Sequence, residues 1–151
     1  MDGIAKAWED AVIELPRSLG IRQNHSSQIH IFCDAALACY ATAVYIQTSS
    51  EKESKINLVF ARSRLAPINS KITIPKLELL GIVIGVRAGN FIKKEMGLEK
   101  AKTILWTDSE IALSWIGSTE RQPVFIANRL KEIRNHNIPS GMSVPLLILL
   151  T

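Results

Sequence analysis

No stretch of this chain has the basic-then-apolar layout of a secretory leader, and no apolar run is long and uncharged enough to cross a bilayer. The longest such run, Leu77 to Ile92, is interrupted by Glu78 and Arg87 and reads as a buried helix. The expected location is therefore intracellular, in the cytoplasm. Cysteine is equally sparse. Cys33 and Cys39 lack both CxxC spacing and a companion histidine pattern, which argues against a disulfide scaffold or a thiolate metal site and leaves two free, partly buried thiols. His25, His30 and His136 have no ligand spacing, and internal repeats and low-complexity tracts are missing too.

What is present suffices for one packed domain: 151 residues, 47% of them hydrophobic. The net charge of +4 suits a polyanionic partner without requiring one. Basic clusters at Lys52 to Lys55, Arg62 and Arg64, Lys93 and Lys94, Lys100 and Lys102, and Arg129 to Arg134 read first as solvated faces of helices and hairpins.

Along the chain, Ile4, Trp8, Val12 and Leu15 fall at helical spacing before Pro16, so residues 1–27 read as a short amphipathic helix and a polar linker. Strands are expected at Gln28 to Asp34, Ala41 to Gln47 and Ile56 to Ala61, joined by short loops as an antiparallel meander. A loop over Ser63 to Thr73 leads into a helix from about Pro75 to Lys94, with Thr73 as its candidate cap. Gly81, Gly85 and Gly89 recur every fourth residue of that helix. Glycine costs about 1 kcal/mol relative to alanine there, so a side-chain-free stripe implies close backbone packing. A fourth strand over Lys102 to Thr107, a helix from Asp108 or Ser109 to Ile116, and another from Pro123 to about His136 complete a β-β-β-α-β-α-α order. That order indicates an α/β fold with a mixed sheet. Residues 28–138 form the main domain, and 139–151 are an atypical apolar tail. Trp106 and Trp115 are expected in or beside the core, with Trp115 also a candidate neighbour of a nucleic-acid groove.

Three carboxylates stand where apolar runs meet polar breaks: Asp34 after Ile29 to Cys33, Glu78 between Leu77 and Leu79, and Asp108 after Ile104 to Thr107. Asp34 could serve a turn, and Asp108 with Ser109 could cap the following helix. Glu78 has few inexpensive structural explanations, because a charge in apolar surroundings needs a partner. If the three converge, they could hold one or two Mg²⁺ ions, which take oxygen ligands and leave positions for water and phosphate. Two such ions about 4 Å apart can activate a water and stabilise the leaving oxygen of a phosphodiester.

The strings Phe32-Cys33-Asp34-Ala35, Ala61-Arg62-Ser63-Arg64-Leu65-Ala66-Pro67, Thr73-Ile74-Pro75-Lys76-Leu77-Glu78-Leu79-Leu80 and Trp106-Thr107-Asp108-Ser109, followed by Phe125 to Ile133, resemble the ribonuclease H-like region of Pao/BEL retrotransposon polyproteins. The resemblance runs from roughly Gln28 to Arg134. It implies a five-stranded mixed sheet flanked by helices, and hydrolysis of the RNA strand of an RNA/DNA hybrid with Mg²⁺ or Mn²⁺. It also implies Asp34, Glu78 and Asp108 as catalytic metal ligands. The implied partners are the hybrid or another nucleic acid, read through shape and backbone, and a reverse transcriptase module. Ser109, at a helix start where free N–H groups favour anions, is the candidate phosphate contact.

The pattern departs from the family at its end, where an Asn-Pro-Ala-Asp segment with a fourth ligand is expected and Val144-Pro145-Leu146-Leu147-Ile148-Leu149-Leu150-Thr151 stands instead. Codons for Asn-Pro-Ala-Asp read one nucleotide late can give Ile-Leu-Leu-Thr, so the tail is either a frameshift product or a genuine apolar strand. Two functions follow as expectations: a metal-dependent nuclease impaired by a missing ligand, or a non-catalytic nucleic-acid-binding or scaffold remnant. An aspartic peptidase would need a carboxylate pair on Asp-Thr/Ser-Gly loops, and Asp108-Ser109-Glu110 does not supply one.

Overall fold

The computed structural model describes Glu14, Ser18, Leu19, residues 26–68 and residues 71–136. The expected N-terminal helix and the apolar tail lie outside the described residues, apart from Glu14, which is exposed.

Strand β1 (Ser26–Ala35) turns at Ala36 to Ala38 into β2 (Cys39–Ser49), and β3 (Ser54–Leu65) returns beside β2. The first turn is closed by mutual backbone bonds between Ala36 and Cys39, at 2.8 and 3.3 Å. Both pairings are antiparallel, as the meander requires. β3 runs four residues past the expected Ala61. Its ladder continues through Tyr40↔Arg64 and Cys39↔Leu65, so part of the expected loop is strand. Helix α1 (Ile74–Glu95) follows, and ends at Gly97, whose φ of 65° reverses the chain. β4 (Lys102–Trp106) then pairs parallel to β1, and helices α2 (Glu110–Gly117) and α3 (Val124–Asn135) close the described chain. The order across the sheet is β3-β2-β1-β4, four strands among the described residues where the resemblance implied five.

β2 alternates strictly between buried and half-buried residues, which separates the two sheet faces. Ile29, Ile31, Val44, Ile46 and Leu105 form the inner face and pack with Leu79, Ile82 and Val86 of α1. Ala112, Ile126, Leu130 and Ile133 extend the same core into α2 and α3. The glycine stripe of α1 is the contact line. A Cβ on Gly81 would stand 3.2 Å from the Ala41 carbonyl oxygen, and one on Gly89 would stand 2.8 Å from Ile31 Cδ1. Thr73 occupies the N-cap with extended backbone, but its hydroxyl makes no capping bond. Its carbonyl instead accepts from Lys76 and Leu77.

Candidate active site

Because β1 and β4 are parallel neighbours with Phe32 opposite Trp106, Asp34 and Asp108 leave the same end of the sheet, each two residues farther on. Both are exposed, whereas Glu78 is only 9% exposed. α1 brings Glu78 to this end from the inner face. Gly81, one turn along, lies so close to the sheet that its missing Cβ would be 3.8 Å from the backbone oxygen of Asp34 itself.

The electrostatics tie the three together. Burial pushes the Glu78 carboxyl above its ordinary value, a hydrogen bond from the Ser109 side chain pulls it back, and the charges of Asp108 and Asp34 push it up further. Ser109 is therefore more than a cap. Its Oγ accepts the Ala112 N–H at 3.2 Å at the start of α2, while its own N–H donates to Thr107 Oγ1 at 3.2 Å. Thr107 and Ser109 are both buried, so the loop that carries Asp108 is fixed on either side of it.

Asp34 and Asp108 border a trough of about 790 Å³ on the outer face of the sheet. Ala41, Ala43 and Ala61 line it together with Phe32, Trp106, Arg62 and Ser63. Sequence reasoning placed Arg62 in a basic cluster and Ser63 in a loop. The register Ser63↔Ala41↔Asp34 puts Ser63 in line with the first carboxylate, a relation visible only once β3 is known to continue. Beneath the site, Thr42 Oγ1 donates to the Phe32 carbonyl at 3.0 Å and lies 3.4 Å from Cys33 Sγ. Burial pushes the Cys33 thiol up to about 12, so it remains a neutral packing group. His30 takes a structural place, accepting from Trp106 Nε1 at 3.0 Å and meeting Gln47 at 2.9 Å. Trp115 is half-buried against the core.

Residues 1–109 match the family model described as the Pao retrotransposon-like RNaseH-like domain. The chain belongs to this family. The match includes residues 1–27 as well as the strands and all three carboxylates. Among solved structures, the chain is similar to the LC11 RNase H1 isolated from compost by a metagenomic approach, at 15% identity and a TM-score of 0.50, over 74% of this chain and 76% of that one. RNase H1 from the halophilic archaeon Halobacterium salinarum aligns at 13% identity and a TM-score of 0.45, over 72% of this chain and 76% of that one. A comparison with curated proteins finds no match. The RNase H-like fold expected from the sequence is thereby established for this Pao-family domain.

Among the described residues, no group of three His, Cys, Asp or Glu side chains could hold a metal ion by itself. The donor chemistry nevertheless suits a hard divalent cation. Mg²⁺ is bound through one or two carboxylates and completes its shell with water and substrate phosphate. Two exposed aspartates at one end of the sheet, whose charges oppose ionisation of the buried Glu78, are chemically suited to such an ion rather than to a closed cage.

Proposed function

We propose that this Pao-family domain hydrolyses the RNA strand of RNA/DNA hybrids, with Asp34, Glu78 and Asp108 holding Mg²⁺ or Mn²⁺. The observation that supports the reading is Glu78: a buried carboxylate in the first turns of α1 whose ionisation the charges of Asp108 and Asp34 oppose. A cation bound there would supply an activated water and neutralise charge at the leaving oxygen. The chain's own residues do the positioning. Parallel pairing of β1 with β4 sets the Asp34–Asp108 separation, Gly81 lets α1 bring Glu78 in, and a hydrogen bond from Ser109 favours the charged form of Glu78. Ser109 keeps its proposed phosphate role through the positive end of α2 rather than through its hydroxyl, which is already engaged. A hybrid lying across this end would be gripped by shape and backbone, and a reverse transcriptase module would deliver it.

The deciding experiment is cleavage of a labelled hybrid with Mg²⁺ and with Mn²⁺, comparing the chain with Asp34→Asn and Asp108→Asn. Cleavage by the chain and at least a hundredfold loss in both variants supports the enzyme. Equal inactivity of all three, with hybrid still bound, establishes instead the non-catalytic nucleic-acid-binding module.

A further inference from the structure

A single file of hydrogen bonds crosses the outer face of the sheet from β4 to β3. Trp106 Nε1 donates to His30 Nδ1 at 3.0 Å, and His30 Nε2 meets Gln47 Oε1 at 2.9 Å. Gln47 Nε2 then donates to Ser54 Oγ at 3.0 Å, and the Ser54 and Ser49 hydroxyls lie 3.2 Å apart. The direction of the file is set by its first member. An indole nitrogen only donates, so His30 Nδ1 has to be bare and the imidazole proton has to sit on Nε2, where the Gln47 carbonyl accepts it. The bonds are therefore compatible with one neutral tautomer of His30 and with no other protonation state.

We propose that His30 is a positioning residue for the Asp108 end of β4, and that it acts only while unprotonated: its bare Nδ1 fastens Trp106, and uptake of a proton releases it. Trp106 is the last residue of β4 and precedes Asp108 by two. It lies opposite Phe32 in the parallel register and reaches back along β1 to His30, with the two rings 6.0 Å apart and inclined by 26°. An imidazole is the side chain whose charge ordinarily changes between pH 5 and 8. His30 is half-buried and borders an open concavity of about 520 Å³ on this face, so solvent protons reach it. A proton on Nδ1 would set one N–H against another and leave the indole without its acceptor, while Nε2 would still donate to Gln47. The surroundings offer the new charge little compensation. By register, His30 faces Tyr45 on β2 and Ile104 on β4, with Lys102 farther along β4 on the same side. Gln28 and Phe32 flank it on β1, Ile56 and Leu58 of β3 lie beyond β2, and the next acid along β1, Asp34, is four residues or about 13 Å away.

The fastening is independent of hydrolysis, and only its consequence for cleavage rests on the function proposed above. The test follows the indole N–H signals of the ¹⁵N-labelled full chain from pH 8 to pH 5, with Trp106→Phe identifying the signal of Trp106. In the wild type that signal moves as His30 takes up its proton. In His30→Asn, whose side-chain oxygen accepts where Nδ1 stood and does not titrate, it stays constant. In His30→Phe, which has no acceptor, it holds the low-pH position throughout. A wild-type signal that does not move, or one that moves equally in His30→Asn, overturns the proposal. So does a proton found on Nδ1 rather than Nε2 in the imidazole nitrogen spectrum of the wild type at pH 8, a measurement that needs no variant to fold. Hybrid cleavage separates this inference from the hydrolase reading. Between pH 8 and pH 6 the wild type is expected to lose at least fivefold more of its rate than His30→Asn, because titration of the site carboxylates is common to both. Equal losses overturn the positioning role and leave the hydrolase standing, whereas cleavage by neither chain overturns the hydrolase and leaves the indole signal to decide on His30.

Discussion

Phe32 and Trp106 stack across the β1–β4 pair with ring centroids 5.6 Å apart and planes inclined by 6°, Phe32 two residues before Asp34 and Trp106 two before Asp108. The stack therefore clamps the parallel register on which the Asp34–Asp108 separation depends. Phe32→Ala and Trp106→Ala are each expected to destabilise the fold by about 1–3 kcal/mol, below the fully buried range because Phe32 is 38% exposed. Their coupling in a double-mutant cycle should be about 0.5–1.5 kcal/mol. Urea unfolding of the four proteins measures it, and strictly additive losses would show that the rings do not act together.

The glycines of the chain should split by what surrounds them. A Cβ on Gly85 would meet Thr42 Oγ1 at 2.6 Å, inside the α1–sheet contact, whereas one on Gly117 would meet nothing within 4 Å. Gly85→Ala is expected to cost about 1–3 kcal/mol through overpacking, outweighing the gain in helix propensity. Gly117→Ala, at the end of α2, should be neutral or stabilising by up to about 1 kcal/mol. Thermal unfolding of both variants tests the contrast.

Arg87 on α1 and Glu132 on α3 form a two-pronged ion pair, with Arg87 Nη2 donating to Glu132 Oε2 at 2.9 Å and a second bond from Arg87 Nε. The guanidinium lowers the Glu132 carboxyl below its ordinary value of 4.5. A lowered folded value means the pair's contribution is complete above the unfolded value and is lost as pH falls through the folded one. Because Arg87 is 59% exposed, the contribution is expected at only about 0.2–1 kcal/mol. The coupling energy between Arg87→Met and Glu132→Gln should be measurable at pH 7, fade below pH 4.5 and shrink in high salt.

Much of this was legible before any coordinates, because the strongest signals were local. β-Branched and aromatic residues marked β1 and β2, and Pro75 with the four-residue glycine period marked α1 and its contact line. The three carboxylates stood at the ends or starts of those elements. What escaped depended on pairing. The extension of β3 through Arg62 to Leu65 is set by its ladder to β2 and not by its own polar composition, so Ser63 passed for loop. The second partner of the Ser109 hydroxyl, Glu78, lies 31 residues away in sequence and is reached only through the fold. The aromatic outer face was hidden for the same reason, since Phe32, Tyr45 and Trp106 come from three strands.

Glu78→Gln separates stability from chemistry. The Glu78 carboxyl is raised above its ordinary 4.5 by burial and by Asp108 and Asp34. The folded state therefore holds its proton more tightly than the unfolded state, and the chain loses stability as pH rises from the unfolded value through the folded one. Glutamine keeps the shape and removes that charge. At pH 7 without divalent cations the variant is expected to melt higher than the wild type, each kcal/mol appearing as about 2–4 °C in a chain of this size. Towards pH 4 the difference should close. Adding Mn²⁺ should raise the melting temperature of the wild type more than that of the variant, because only the wild type offers three anionic oxygen donors. Hybrid cleavage should disappear in the variant under all conditions. A Glu78→Gln chain that melts lower than the wild type at pH 7 without metal would mean that the carboxylate is held by favourable contacts, and the site would then not be poised for a cation.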